Sequence, residues 1–339
     1  MKFKLFFALI AFLMNASQLS AQQSINRYTL NGRAQGTTWS ITYFSVDSVI
    51  AKSSVDSVLA VLDNSLSIYR ESSIISSFNR SENGLDIDIH LFNVVSKALE
   101  VSRKTQGRFD ITVKPLVELW GFAARQPDHL PDSQEIKAVM PCIGSKRLQL
   151  QRTFLRKSMP CTQIDVNGIA QGYSVDVLAD YLESTGVRNY LVEVGGEIRA
   201  RGHKPSGGPM RIGIESPVEE LMEPAIMQRI VEISEGALTT SGSYRKFYES
   251  QGKKISHIID PFTGYSAVTD LISVSVYAAD AITADGFDNA ILMMGLKKGL
   301  RFVEKHKKLA AFFIYKDSTG RVQSIASSRF KRLLVQEEL

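Results

Sequence analysis
What most constrains this chain is how its apolar runs are joined. Residues 190–194, 210–215, 229–234, 271–278 and 310–315 have strand character and are connected mostly by turns, with few long helical crossovers. A parallel sheet needs such crossovers. The pattern therefore predicts an α+β fold with largely antiparallel sheets flanked by helices. Residues 27–44 add two strands around a bend at Gly36, and 48–66 and 91–105 carry apolar residues at helical spacing. Residues 126–145, with three prolines, read as an internal loop or linker, and 202–208 as a hairpin connection.

The first residues read as an export leader, 1–21: Lys2 and Lys4, an apolar run over 5–14, and Leu19-Ser20-Ala21 as the cleavage site. Losing Lys2 and Lys4 would lower the formal charge from +5 to +3. That imbalance is mild and no basic block stands out, so a nucleic-acid partner is not expected. Cys142 and Cys161 would meet an oxidising compartment after export. They are compatible with a disulfide or with two separate thiols, and make a poor metal site.

Polar chemistry concentrates in Ser256-His257-Ile258-Ile259-Asp260-Pro261-Phe262-Thr263-Gly264 and then Ala284-Asp285-Gly286-Phe287-Asp288-Asn289-Ala290. Buried charges need a counter-charge, hydrogen bonds or a metal, so this cluster asks for a ligand or an ion. Asp285, Asp288 and Asn289 fall on one side of a helix whose expected N-cap is Thr283, with Phe287, Ile291 and Met294 on the other. Acidic residues suit a first turn through the helix dipole alone. Two carboxylates and an amide oxygen on one face also match Mg²⁺ held together with phosphates. His257, between a strand and a tight turn, suits acid–base work as well as a structural place. Residues 164–176 read either as an anion site at a glycine-rich helix start or as a plain strand-to-helix turn. The turns expected at 194–197 and 239–244 could line a phosphate or ribose. Tyr69, Phe109 and Trp120 could stack on a flat ring or belong to the core.

In order along the chain, Gly36-Thr37-Thr38-Trp39, Leu66-Ser67-Ile68-Tyr69-Arg70, Ser76-Ser77-Phe78-Asn79, the block from Gly107-Arg108-Phe109-Asp110 to Trp120-Gly121-Phe122, residues 165–176, Gly195-Gly196-Glu197, Thr240-Ser241-Gly242, and the blocks at 257–264 and 284–295 resemble one family. It is the FAD:protein FMN transferase family, also called ApbE and once described as thiamine-biosynthesis lipoproteins. The resemblance implies an ApbE-like (T-fold-like) architecture and one catalytic domain over 22–339. It implies FAD as substrate, with its pyrophosphate at a Mg²⁺ ion. A Thr or Ser hydroxyl of a partner protein attacks the FMN phosphorus, AMP leaves, and a phosphoester joins flavin to partner. The implied acceptors are flavoprotein subunits with a Thr/Ser flavinylation motif, such as those of Na⁺-translocating NADH:quinone reductase or Rnf-type complexes.

Matched position by position, the resemblance implies Asp285, Asp288, Asn289 and the Gly168 carbonyl as metal ligands. Gln35, Tyr69, Arg108, Phe109, Asp110, Asp165, Gln171 and Ile259 fall where FAD contacts are expected. His257 and Asp285 are the implied catalytic residues, His257 as proton acceptor or as orienting group. Three positions depart from the family pattern: Asn289 stands where Thr or Ser is common, Gln171 where Lys or Glu is, and Lys114 where Gly often precedes Pro115. With no lipobox cysteine near the leader, a soluble periplasmic protein, or one associated with the inner membrane through its partners, is expected. The alternatives are a pyrophosphatase that splits FAD to FMN and AMP, and a flavin carrier without turnover.

Overall fold
A computed structural model of the chain describes residues 24–122, 129–215, 227–242, 247–250, 253–267 and 269–335; the expected leader lies outside them. In chain order the elements are β1 (Asn26–Ala34), β2 (Thr37–Ser45), α1 (Lys52–Leu66), α2 (Ile74–Arg80), β3 (Gly84–Asp86), α3 (Ile89–Lys104), α4 (Lys114–Leu119), α5 (Ser133–Val139), β4 (Leu148–Gln151), β5 (Phe154–Lys157), α6 (Ala170–Ser184), β6 (Asn189–Val194), β7 (Glu197–Arg201), β8 (Met210–Glu215), β9 (Met227–Ile233), β10 (Glu235–Gly242), β11 (Phe247–Ser250), β12 (Lys253–Ser256), β13 (Leu271–Ala278), α7 (Ala281–Lys305), β14 (Ala310–Lys316) and β15 (Val322–Ala326).

Eight strands form one sheet in the order β1-β2-β6-β7-β10-β13-β14-β15, antiparallel at every pairing. Both of its faces are covered, which explains why β14 reads as continuously apolar. Ala311 and Phe313 join the core beneath the helices, with Leu59, Val94, Leu178 and Ile291. Ala310, Phe312 and Ile314 point the other way, against Met210, Ile212 and Val231 of the β8–β9 hairpin. Each fully buried aliphatic side chain contributes about 2 kcal/mol, so these two layers fix the sheet and the turns only direct it. A third, smaller cluster joins Leu116, Trp120, Ile136, Ile143, Ile255 and Ile259. Trp120 donates from Nε1 to the Gly264 carbonyl at 2.7 Å; it is a core residue and does not offer its face to a ligand.

Several expectations need correction. Residues 133–139 of the supposed linker form α5, started by a capping box in which Asp132 and Glu135 satisfy each other's backbone amides. Three prolines nearby hid that signature. The first helix begins at Lys52, not at 48, because Ser48 is held outside it by the Tyr43 hydroxyl. Residues 239–242 are not a turn; they finish β10, a strand whose small and hydroxyl residues give little apolar alternation. The 202–208 loop closes on itself through Lys204 N to Gly208 O, but the strand after it pairs with β9 and not back onto β7.

α7 starts two residues before the expected cap. Asp280 is its N-cap, accepting from Thr283 N at 2.9 Å. The helix breaks at Gly295 (φ 69°, ψ 170°), where the Asp270 carboxylate accepts from Leu296 N at 3.1 Å and restarts it. Cys142 and Cys161 are joined in a disulfide, Cα–Cα 5.4 Å. Beside it the buried Lys157 ammonium donates to the carbonyls of Asn79, Pro160 and Thr162, and the Asn79 amide bonds Ile164 through both its oxygen and its nitrogen. Together they anchor an irregular segment, 158–169, that has no ladder of its own.

Candidate active site
That anchored segment forms the floor of a cavity of about 410 Å³. Its walls come from the β1–β2 turn, the turn after α1, the stretch after α3, the start of α6, the end of β10, the loop after β12, and the second turn of α7. Gln35, Tyr69, Arg108, Phe109, Asp110, Asp165, Gly168, Gln171, His257, Ile259, Asp285 and Asn289 all line it. Asp288 does not reach the cavity surface. It is fully buried behind Asn289, its oxygens accepting from Thr239 Oγ1 at 2.7 Å and Ser241 Oγ at 2.9 Å.

The inner wall is built where α6 and α7 begin against each other. Asp285, on α7, accepts from Gly172 N in the first turn of α6 at 2.8 Å. Asp176, on α6, accepts in return from Ala281 N at 2.9 Å and Ile282 N at 2.8 Å, the first amides of α7. Each helix start is capped by a carboxylate of the other. Gly172 is required here, since a Cβ would come within 2.5 Å of the Ala281 carbonyl. The helix start expected as an anion site is thus partly filled by the protein's own carboxylate. Arg199 completes the wall by pairing with Asp176 at 2.9 Å.

Burial sets the electrostatics. It pushes the Asp285 carboxyl up to about 7, with Gly172 N opposing the shift and Asp176 adding to it. Asp288 is also driven up, by burial first and by the charge of Asp285 second, against the Thr239 and Ser241 hydroxyls. Asp176 rises to about 6, again through burial, against the two α7 amides and Arg199. Three oxygens then converge on one atom: Asn289 Nδ2 donates to Gly168 O at 3.2 Å, Asp285 O at 3.3 Å and Asp288 Oδ1 at 3.1 Å. An amide nitrogen has two hydrogens, so the acceptors outnumber them.

The other predicted residues divide by role. Gln35 sits in the left-handed region (φ 53°), donates to Ser174 Oγ at 2.8 Å, and keeps Oε1 buried without a hydrogen-bond partner. Asp165 accepts from Asn167 N at 2.8 Å, and burial raises its carboxyl above the ordinary range. Asp110 is committed to the fold: it accepts from Thr112 N, Thr112 Oγ1 and Ser145 N at 2.9, 2.6 and 2.7 Å. Arg108 lies at the rim, 3.7 Å from Asp260 and over the ring of exposed Phe262. Tyr69 is largely exposed at the mouth. His257 meets Phe122 edge to face, ring centroids 6.3 Å apart. Sequence reasoning missed Asn167 and Phe122 as lining residues, the support of Asp288 by Thr239 and Ser241, and the cap made by Asp176. None of these had a local signal, because each depends on partners distant along the chain.

Known proteins share this chain's sequence and fold. Residues 35–313 match the ApbE family. A protein of Vibrio cholerae named FAD:protein FMN transferase is 36% identical over 312 residues, 90% of this chain and 92% of the relative. A Salmonella typhimurium protein of the same name is 36% identical over 319 residues, 91% of this chain and 90% of the relative. Among solved structures, flavin transferase ApbE from Vibrio cholerae superposes with a TM-score of 0.82 at 34% identity, over 92% of this chain and all of that one. The apo form of Pseudomonas stutzeri flavinyl transferase ApbE gives 0.82 at 32% identity, over 91% and 97%. The chain thus belongs to the ApbE family and shares its fold.

Proposed function
We propose that the protein is an FAD:protein FMN transferase, the name its relatives carry, and that it works with Mg²⁺. The observation that carries this reading is the gathering of the Gly168 carbonyl and the Asp288 carboxylate on the Asn289 amide, one turn along α7 from the buried Asp285 carboxylate, at the inner wall of a cavity sized for a small molecule. Buried carboxylates without a counter-charge are costly, and this donor set is all hard oxygen once the Asn289 amide turns its own oxygen inward. Asp285, Asn289 and the Gly168 carbonyl would hold the cation, with Asp288 behind them. Bound there, Mg²⁺ supplies charge neutralisation at the pyrophosphate and makes its phosphorus easier to attack.

The chain's own groups do the rest. Gln35 Oε1, a buried acceptor without a partner, and the Phe109 ring are placed to hold the flavin nucleotide. The acceptor hydroxyl oxygen bonds to the FMN phosphorus, the bond from that phosphorus to the bridging oxygen breaks, and AMP leaves with the bridging oxygen. His257, the imidazole on this wall, takes the hydroxyl proton. The acceptor is a flavoprotein subunit offering Thr or Ser. Residues 1–21 and the Cys142–Cys161 disulfide support a periplasmic setting. Incubation with FAD, Mg²⁺ and an acceptor-threonine peptide should add one FMN, less water, to the peptide. Unmodified peptide under conditions where FAD is bound would falsify the reading, and AMP released without acceptor would make water the nucleophile.

A further inference from the structure
Away from the cavity the largest unexplained feature is a charge imbalance. From Lys297 to Arg332 the chain has eleven Lys and Arg against two Asp and Glu, a net +9 in a chain totalling +5, which leaves −4 for the rest. No basic block stands out along the sequence because these cations are spaced at helical intervals and then divided by two strands. The fold gathers them. Lys297, Arg301 and Lys305 recur every four residues along the second half of α7 and are exposed, as are Lys298, Lys307 and Lys308.

The C-terminal segment is fastened to the same end of the helix. Arg329 donates to the carbonyls of Val303, His306 and Leu309, and Ser328 N donates to Glu304 Oε1 at 2.7 Å. The Ser328 amide, with Arg329 and Lys331 nearby, holds the Glu304 carboxyl below its ordinary range, which places Lys331 beside the helix end. At the other end the Asp270 carboxylate accepts from Leu296 N and its carbonyl from Lys316 N, tying the end of β14 to the restart of α7. Among the described residues none of Lys297, Arg301 and Lys305 is in an ion pair. Ile325 of β15 pairs with Phe313 and so faces the α7 side of the sheet. There Phe313 lies beneath Gly299, and Ile325 is 36% exposed.

We propose that this face docks on an anionic lipid bilayer. Lysine dominates it, and lysine is depleted at the interfaces of folded protein partners, where arginine and aromatic residues concentrate. An exposed isoleucine on the same side of the sheet as the lysine-rich helix suits a surface whose headgroups take the charge and whose acyl boundary takes the apolar side chain. A nucleic-acid backbone offers that isoleucine nothing. None of the stripe residues lines the cavity, and the stripe and the Asp285–Asn289 turn lie on opposite sides of the break at Gly295.

The test is co-sedimentation of the chain lacking residues 1–21, a removal that touches none of the described elements, with two kinds of vesicle. One contains phosphatidylglycerol in phosphatidylcholine and the other phosphatidylcholine alone. Anionic vesicles should bind at least tenfold more tightly, and 0.5 M salt should abolish the difference. The triple variant K297E/R301E/K305E should lose the binding while keeping its thermal melt and its FAD affinity; K297Q/R301Q/K305Q, a milder change, should lose most of it. Equal binding of variants and parent overturns the proposal. So does binding to polyglutamate or to a DNA duplex with the anionic vesicles ignored, which would assign the face to an acidic protein or to a nucleic acid.

Discussion

The inner wall and the rim of the cavity are made in opposite ways. On the inner wall each carboxylate is buried and bound to a group of another element: Asp285 to Gly172 and Asp176 to Ala281 and Ile282 across the two helices, Asp288 to Thr239 and Ser241 of β10. At the rim, Tyr69 and Phe262 are largely exposed, and Arg108 makes a long pair with Asp260 and lies over the Phe262 ring. Charge can be held without water only where every partner is fixed beforehand, so the chemistry belongs to the wall. The rim has to admit a substrate and then a second protein, which suits side chains with few commitments.

The comparison breaks first, and most severely, at Asp285. Replacing it with Ala should lower Mg²⁺-dependent FAD cleavage about a thousandfold, the equivalent of several kcal/mol of lost charge stabilisation. Single-turnover AMP release measures it, and a loss of less than tenfold would remove Asp285 from the metal site. Asp176→Ala comes next: it leaves two buried α7 amides without their acceptor and takes from Arg199 one of its three carboxylate partners, at a cost of about 3 kcal/mol by urea unfolding.

Asp176 also gives the wall a pH signature. Its folded value near 6 lies above the ordinary 3.8, so the folded chain binds that proton more tightly than the unfolded one. The contribution of Asp176 to the stability of the metal-free protein should therefore fall as pH rises from about 4 to about 6, by about 3 kcal/mol at most, with Asp285, raised to about 7, extending the fall beyond it. Asp176→Asn should reduce that slope; an unchanged slope assigns it elsewhere.

Opening the disulfide with C142S/C161S removes a cross-link spanning 19 residues, worth about 3 kcal/mol in the unfolded chain, and loosens the cavity floor. The expected readout is a lower melting temperature together with a raised KM for FAD. The smallest effect belongs to the rim. Tyr69→Ala should change the KM for FAD by only a few-fold, about 1 kcal/mol or less, with kcat for AMP release unmoved. A Tyr69 effect as large as that of Asp285 would erase the distinction between wall and rim.

Much of this was legible in the residues because the site is made of short local signals. β8 and β13 begin and end where alternation and apolar runs predict, and the 257–264 turn and the 285–289 helix face lie on one cavity as their chemistry implied. What could not be read depends on distance along the chain. The amides bound by Asp176 lie 105 and 106 residues away, and nothing local distinguishes it from a solvated helix acid. Asp288 reads as equivalent to Asp285, yet two hydroxyls of β10 draw it behind the wall. Asp110 has the look of a ligand-binding acid, but turns to the backbone at Ser145, across the disulfide-linked region.

The break at Gly295 has one more consequence. A single unbroken helix would bind its two halves to one rotational phase, so that repositioning either end would swing the other. With the backbone interrupted and Asp270 restarting it, the distal segment can drift in composition, lysine by lysine, while the catalytic turn keeps its orientation. Adhesion and turnover then become separately adjustable, and a graft of the last ten helical residues from a relative should transplant the first without disturbing the second.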